Sequence, residues 1–286
     1  MERGPTRAEI RWGLVVRNIL SVPVDRVQDG VSVPVQDLLA VEEPLEIRVN
    51  ERAISITMRT PGYDFDLAAG FLFTEGIIAG PEAIARIRLT HSDKRSRANG
   101  NSVTVDLSAG VEFDFDRLAR HFYVSSSCGV CGRTSLDALA AQGCQMFGRE
   151  GPHFRRTLIP ELPDRLRQAQ PVFERTGGLH AAALFNADGQ LQNLREDVGR
   201  HNAVDKLIGS EMLAGRTPLA GRLLLVSGRA SFELLQKALM AGIPVLAAVG
   251  APSSLAVEVA LRYNMTLLGF VRDGRFNIYS GAWRIQ

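Results

Sequence analysis

The sequence predicts a mixed α/β protein: a small ββαββ domain of the α+β class, followed by a larger three-layer α/β domain with a mixed sheet. Two alternating strand patterns around a short turn open the first half, and a helical stretch follows them. In the second half, three helices alternate with short apolar strands. We predict an N-terminal extension over residues 1–29 and domains at residues 30–117 and 118–286.

The first half contains four strand patterns and one helix. The first two strands alternate apolar and polar side chains on either side of a short turn, which is typical of a hairpin. A helix is predicted over residues 67–73, with Asp64 or Asp66 as its N-terminal cap. The predicted strands cover residues 45–49, 54–58, 87–90 and 102–107.

The second half begins with a hairpin that turns at residues 186–189, where Asn-Ala-Asp-Gly is a strong turn sequence. Alternation of helices and apolar strands then predicts helices on a mixed sheet. The predicted helices cover residues 200–213, 231–241 and 253–262, and the predicted strands cover residues 179–185, 190–194, 222–226, 245–249, 266–271 and 275–279.

Composition excludes several classes of protein. The 33 Lys and Arg residues nearly balance the 31 Asp and Glu residues, so no global field favours nucleic acid or an anionic membrane. Prolines and Glu258 interrupt the longest apolar region, residues 243–261, which excludes a membrane span. The charged first residues do not form a signal peptide, and three cysteines do not make a disulfide framework. We therefore expect a cytoplasmic protein.

The loop Ser125–Arg133 holds two of the three cysteines of the chain, Cys128 and Cys131. Serine and glycine surround Cys128, so its sulfur is accessible to a large partner. A helical pattern begins at Thr134, and both a helix N-terminus and the neighbouring Arg133 favour the thiolate form of a cysteine. Because the thiolate attacks sulfur, carbon or metal, the loop indicates a reactive-thiol site.

Three chemistries use a Cys-x-x-Cys pair, and the loop alone leaves all three open. Structural zinc needs four ligands, usually two such pairs, and the chain has no second pair, so we expect no bound metal. A dithiol oxidoreductase places the pair between a strand and a helix, whereas three serines and two glycines predict a mobile loop here. A persulfide carrier needs only an exposed nucleophilic thiol on such a loop, and it fits best.

Three further segments place polar residues at the ends of predicted strands. Asn193–Lys206 is rich in ionisable side chains at a strand-to-helix junction, which suits either a ligand site or a solvated helix start. Ser227–Ser231 joins a buried strand to a helix through glycine and has donors for a phosphate. In Gly269–Phe276, Arg272 and Arg275 flank an Asp-Gly turn; their forked guanidinium groups suit pyrophosphate, and an ordinary exposed turn is the alternative.

Taken together, these motifs resemble the formate dehydrogenase accessory sulfurtransferase family, FdhD. The resemblance extends from about residue 30 to the C-terminus. The charged segment Arg195–Lys206 is the most specific of the motifs. The motifs that carry the resemblance are Ser126–Gly132, Thr176–His180, Arg195–Lys206 and Ser227–Ser231.

The resemblance implies a function and a set of site residues. Members of this family take sulfur from a cysteine desulfurase as a persulfide and pass it to the molybdenum of the bis(molybdopterin guanine dinucleotide) cofactor, which formate dehydrogenase needs. By this resemblance Cys128 bears the persulfide and Cys131 assists it. The larger domain is expected to be similar to cytidine deaminases. The segment implied to contact the cofactor consists of Phe270, Val271, Arg272, Asp273, Gly274 and Arg275.

Two other functions compete with sulfur transfer. A zinc deaminase needs a His or Cys followed by a catalytic Glu and, downstream, Pro-Cys-x-x-Cys. Here the first element reads His180-Ala181-Ala182, without the Glu, and the second reads Gly228-Arg229-Ala230-Ser231, without cysteines. A non-catalytic chaperone that only binds the molybdenum cofactor is the other rival, and Cys128 argues against it. The two-armed cofactor suits a homodimer, and guanosine diphosphate is the expected surrogate for one arm.

Overall fold

The computed structural model describes residues 15–16, 18–90, 101–111, 139 and 144–286. The loop with Cys128 and Cys131 lies outside these residues. Within the described ranges the predicted mixed α/β architecture is confirmed, with strands in three separate sheets. No helix of this part of the chain is long and apolar enough to cross a membrane.

The first sheet is an antiparallel hairpin with one short added strand. It consists of β1 (Val15–Val16), β2 (Ile19–Gln28) and β3 (Val31–Ala40), and β2 pairs with β3 along its full length. The predicted boundary between residues 29 and 30 falls in the turn of this hairpin. The division of the chain into domains remains a prediction.

The second sheet is the predicted ββαββ unit. Its strand order is β5-β4-β7-β6, with β4 and β7 parallel and the other neighbours antiparallel. Alternate residues of β4 point into the core, which explains its apolar-polar pattern. The elements are β4 (Glu43–Val49), β5 (Arg52–Arg59), α1 (Asp64–Thr74), β6 (Ile84–Thr90) and β7 (Ser102–Leu107).

The predicted cap of α1 is wrong. The helix begins at Asp64, directly after Tyr63 with a φ of 57°, and no side chain caps it. Both predicted capping carboxylates bind arginines instead. Arg59 Nε donates to Asp64 Oδ1 at 2.9 Å, and Arg195 Nη2 donates to Asp66 Oδ2 at 2.8 Å. Hydrogen bonds between two charged groups are stronger than those to a neutral N–H, so the carboxylates face the arginines.

The third sheet is mixed and has six strands in the order β13-β12-β11-β10-β8-β9. Strands β10, β11 and β12 are parallel, and the outer pairs are antiparallel. Its strands are β8 (His180–Phe185), β9 (Leu191–Asp197), β10 (Leu223–Val226), β11 (Val245–Ala248), β12 (Thr266–Arg272) and β13 (Arg275–Ser280). The helices are α2 (Leu162–Gln168), α3 (Pro171–Thr176), α4 (Arg200–Leu213), α5 (Phe232–Met240) and α6 (Ser254–Arg262).

Both faces of this sheet are buried, which explains why β10 is entirely apolar. Leu224 and Val226 face α4, α5 and α6 in the larger core, which also contains α1 and the inner face of the second sheet. Leu223 and Leu225 face the opposite way, into a smaller core with Phe154, α2 and the C-terminal Ile285. The layers are therefore helix, sheet and helix, as predicted.

Helices α1 and α4 join the second sheet to the third, and two glycines bring their backbones together. A Cβ built on Gly70 would overlap the carbonyl oxygen of Asp205, and one built on Gly209 would overlap that of Asp66. Only glycine permits so close an approach of two helices. The position of the small unit on the large one depends on this pair.

Candidate functional site

One edge of the large sheet brings the predicted motifs together. The strands β10, β11 and β12 end here, and antiparallel pairing places the start of β8 and the end of β9 beside them, with His180 opposite Asp197. We call this the carboxyl edge; it is where open α/β sheets bind ligands. It collects residues of Thr176–His180, Arg195–Lys206, Ser227–Ser231 and Phe270–Gly274.

Backbone hydrogen bonds hold the loops of the carboxyl edge to one another. Gly250 N donates to Gly228 O at 2.9 Å, Phe270 N donates to Gly250 O at 3.0 Å, and Ala230 N donates to Ala251 O at 3.1 Å. The loops that follow three different strands therefore form one connected surface. Such a surface presents side chains from distant parts of the sequence in fixed positions.

The turn between β12 and β13 presents the predicted cofactor-contacting segment. Arg272 pairs with Arg275 across the predicted Asp-Gly turn, and both arginines are exposed. Phe270 has a φ of 54° beside a register shift, and the guanidinium carbon of Arg272 lies 5.6 Å from the centroid of its ring. A left-handed conformation costs about 1 kcal/mol or more for a phenylalanine. The contact of this segment with the cofactor remains a prediction.

A groove of about 600 Å³ begins at this turn and runs over the smaller core. It offers two guanidinium groups, those of Arg156 and Arg275, above an apolar floor. Arg156 is not among the predicted site residues, because nothing in its local sequence links it to a turn over a hundred residues away. The groove is lined by Arg156, Thr157, Pro160, Gly274, Arg275, Phe276 and Ile278.

His180 and Ser227 meet at the centre of the carboxyl edge. His180 Nδ1 lies 3.4 Å from Ser227 Oγ, which also accepts a hydrogen bond from Ala181 N at 2.9 Å. Burial and the nearby charge of Arg200 lower the pKa of His180, and Asp197 opposes this shift. The imidazole is therefore neutral at pH 7.

His201, on the first turn of α4, is a second neutral imidazole. Its Nε2 lies 3.4 Å from Ser231 Oγ and 3.9 Å from a carboxylate oxygen of Glu233. Burial, with the charges of Arg200 and Lys237, lowers the pKa of His201 to about 4. Two histidines at this edge thus stay uncharged, first because burial disfavours their charged form and second because Arg200 lies near both.

The segment Asn193–Lys206, predicted as a ligand site or a solvated helix start, also has charged side chains that point into the protein. For Asp197 and Lys206 the prediction of a solvated helix start is wrong. Lys206 Nζ lies 2.6 Å from Asp197 Oδ2, and both side chains are at most 1% exposed. Lys206 also donates to Thr60 O at 2.8 Å, and Thr60 N donates to Asp197 at 3.1 Å. These ions connect α4 to the end of β5 and hold the small unit in place.

A second buried group extends this connection. Lys237 Nζ lies 3.0 Å from Asp205 Oδ1 and 3.1 Å from Glu75 Oε1, and it donates to Thr74 Oγ1 at 3.0 Å. Thr74 Oγ1 in turn donates to Asp205 at 2.7 Å. Buried ions persist only when paired and hydrogen-bonded, so this cluster is a structural contact between α1, α4 and α5.

The described cysteine, Cys144, is a poor nucleophile. Burial raises the pKa of its thiol, and its Sγ lies 3.4 Å from Met240 Sδ. Cys128 and Cys131 lie outside the described residues, so their roles remain predictions. In the part of the chain that the structure describes, no three His, Cys, Asp or Glu side chains are grouped to hold a metal ion.

The fold and its carboxyl edge define an α/β protein whose loops meet at the ends of its parallel strands, and comparisons with known proteins define the family. The FdhD/NarQ family model matches residues 40–286. The chain therefore belongs to the FdhD/NarQ family.

Many curated relatives of the chain are named sulfur carrier protein FdhD, and two of them serve as examples. That of Streptomyces avermitilis is 51% identical over 264 residues, which is 92% of this chain and 94% of the relative. That of Mycobacterium tuberculosis is 51% identical over 253 residues, which is 87% of this chain and 92% of the relative.

A solved structure shares the fold. The crystal structure of a protein from Desulfotalea psychrophila, described as a formate dehydrogenase accessory protein, aligns with a TM-score of 0.73 at 24% identity. The alignment covers 94% of this chain and 99% of that one. The likeness shows a shared fold over nearly the whole length.

Proposed function

We propose that this protein is a sulfurtransferase that carries sulfur as a persulfide on Cys128. It receives the sulfur from a cysteine desulfurase and passes it to the molybdenum of the bis(molybdopterin guanine dinucleotide) cofactor, its substrate, for use by formate dehydrogenase. The observation that carries this proposal is the similarity to relatives named sulfur carrier protein FdhD, at 51% identity over 92% of the chain. A homodimer matches the two arms of the cofactor.

The properties of the three cysteines support the choice of carrier. Cys144 is half-buried with a raised pKa, so sulfur chemistry falls to Cys128 and Cys131. In the loading step the Cys128 thiolate attacks the outer sulfur of the donor persulfide. A sulfur–sulfur bond forms on Cys128, the donor bond breaks, and the donor cysteine leaves as a thiolate. Because one persulfide replaces another, no external oxidant is needed.

Mass spectrometry tests the loading step directly. After incubation with a cysteine desulfurase and cysteine, the wild-type chain should gain about 32 Da, the mass of one sulfur atom. Cys128→Ala should abolish the gain, Cys131→Ala should reduce it, and Cys144→Ala is the matched control that should retain it. A gain that survives in Cys128→Ala would move the carrier elsewhere. No gain in the wild type, with nucleotide binding intact, would favour the cofactor chaperone.

The turn between β12 and β13 is proposed to bind the guanine nucleotide end of the cofactor. Arg272 and Arg275 present exposed guanidinium groups beside a turn whose backbone a phosphate can approach closely, and the adjacent groove has room for a base. Guanosine diphosphate should bind here as a surrogate for that end of the cofactor.

Replacing both arginines by Ala should weaken the binding of guanosine diphosphate by roughly 2–4 kcal/mol in calorimetric titration. The double variant of Arg26 and Arg86, exposed arginines on the other two sheets, is the charge-matched control. Equal affinities for the two double variants would contradict this assignment.

A further inference from the structure

The groove beside the turn between β12 and β13 is lined by two distant parts of the chain. One part is the turn with the start of β13, and the other is the segment of residues 156–160, which precedes α2. Phe276 and Ile278 of β13 pack against the smaller core and are only half-buried, so part of each side chain is open to the groove. The volume of about 600 Å³ is in the range of small-molecule sites. The apolar lining suits the face of a flat aromatic ring.

Arg156 is held at this groove by the C-terminal end of the chain. Phe154 N donates to Arg284 O at 2.8 Å, and Gln286 N donates back to Phe154 O at 2.9 Å. Arg156 N donates to Gln286 O, so the backbone at this position is fixed on both sides. The Arg156 side chain is exposed, and among the described residues it makes one long hydrogen bond, from Nη2 to Ile285 O at 3.5 Å. Most of its guanidinium donors are therefore available to a ligand.

The charged side chains that line the groove are all donors. Among the residues that the structure describes, its lining contains two arginines and no carboxylate. The acidic residues that directly flank the lining segments in sequence face other arginines: Glu161 is paired with Arg165 at 2.7 Å, and Asp273 lies 3.8 Å from Arg272. The groove therefore favours a ring whose edge carries hydrogen-bond acceptors.

We infer that this groove binds the guanine base of the substrate and that Arg156 recognises the base through its O6 and N7 atoms. A guanidinium group donates two parallel hydrogen bonds, and guanine presents O6 and N7 as two adjacent acceptors. Adenine has an amino group in place of O6, so the same arginine would face a donor. The inference rests on the proposed function, because the guanine belongs to that cofactor, and it adds the residue that distinguishes guanine from adenine.

Calorimetric titration of the full chain with guanosine diphosphate, and separately with adenosine diphosphate, tests the inference. The wild type should bind the guanine nucleotide roughly tenfold more tightly, the scale of one bidentate contact between arginine and guanine. Arg156→Ala should lower the affinity for guanosine diphosphate roughly tenfold and leave the affinity for adenosine diphosphate unchanged. Arg155→Ala is the matched control, because it removes a neighbouring exposed arginine that does not line the groove. This control should bind both nucleotides as the wild type does.

Two further variants separate recognition of the base from attraction of the phosphates. Arg156→Lys keeps the charge without the guanidinium fork, so it should lose the preference for guanine as Arg156→Ala does. Arg272→Ala combined with Arg275→Ala should weaken both nucleotides, since both carry a diphosphate.

Three results would overturn the inference and leave the turn as a phosphate site: equal wild-type affinities for the two nucleotides, an unchanged preference in Arg156→Ala, or a wild-type preference in Arg156→Lys. Failure of the proposed site at the turn has a different signature, which is a double variant of Arg272 and Arg275 that binds both nucleotides as the wild type does. If neither nucleotide binds the wild type, both assignments are wrong. Persulfide loading of Cys128 involves no nucleotide and is measured separately.

Discussion

Two charge-rich regions of this molecule differ in how their ions are paired. At the contact between the small unit and α4, Lys206 and Lys237 each have a buried carboxylate partner within about 3 Å. At the carboxyl edge, Arg200 Nε is buried without a partner in the described chain, and the arginines of the turn between β12 and β13 are exposed. The buried, paired charges hold the structure, and the exposed arginines of the turn, where Arg272 lies 3.8 Å from the exposed Asp273, are accessible to a ligand.

The largest effect should follow from breaking a buried pair. Lys206→Met leaves the Asp197 carboxylate, which is 0% exposed, without its cation, and should lower the free energy of unfolding by about 3–5 kcal/mol. Urea denaturation measures this loss. The control is Glu161→Gln, which removes an exposed ion pair with Arg165 and should cost at most about 1 kcal/mol. Equal losses in the two variants would show that the buried network does not hold the two units together.

The glycine contact between α1 and α4 should give the next effect. Gly209→Ala drives a methyl group into the backbone of Asp66, so we expect a loss of roughly 2–3 kcal/mol, although alanine favours the helix by about 1 kcal/mol. Gly148→Ala, with its nearest neighbours at 3.9 Å, is the matched control. Thermal denaturation of both variants tests the contact, and a stabilised Gly209→Ala protein would contradict it.

Two serines at helix N-termini give a smaller contrast. Ser253 Oγ accepts from Ala256 N at 3.2 Å and caps α6, whereas Ser231 makes no cap bond at the start of α5. Ser253→Ala should cost about 1 kcal/mol in urea denaturation, and Ser231→Ala should cost less. The reverse order would mean that Ser231 contributes to stability through His201 and Glu233.

The pH dependence of stability should show the burial of His201 beside the charges of Arg200 and Lys237. The pKa of His201 falls from 6.5 to about 4 on folding, so the unfolded chain binds more protons between these values. Stability contributed by neutral His201 is present above pH 6.5 and is lost as the pH falls toward 4. In His201→Gln, unfolding measured across this range should depend less on pH. Because the ring is partly exposed, the change is modest, and an identical slope would contradict the assignment.

Local sequence patterns predicted the fold well where the residues of a single helix or hairpin determine its structure. The predicted helix over residues 200–213 matches α4, and the hairpin of β8 and β9 turns where Asn-Ala-Asp-Gly indicated. Such patterns could not predict contacts between residues that are far apart in the sequence. Nothing near Asp197 in the sequence shows that Thr60 would bind it, and Asp66 looked like a cap because Arg195 lies far along the chain.

The same limit applies to the candidate site. Sequence patterns marked the segments that meet at the carboxyl edge, because glycine and arginine at strand ends are visible locally. The deaminase comparison singled out His180 and Gly228, but the arginine beside them, Arg200, appeared only as one charge in a long run. Its unpaired Nε depends on packing in three dimensions, which no spacing in the sequence reveals.

Transfer of labelled sulfur tests the central claim most directly. The protein is loaded with radiolabelled sulfur by a cysteine desulfurase, freed of the donor, and mixed with the bis(molybdopterin guanine dinucleotide) molybdenum cofactor. The account predicts that the label leaves Cys128 and is recovered with the cofactor, that Cys128→Ala transfers none, and that Cys144→Ala transfers as the wild type does. Label that stays on the loaded protein, or that reaches the cofactor from Cys128→Ala, would contradict the account.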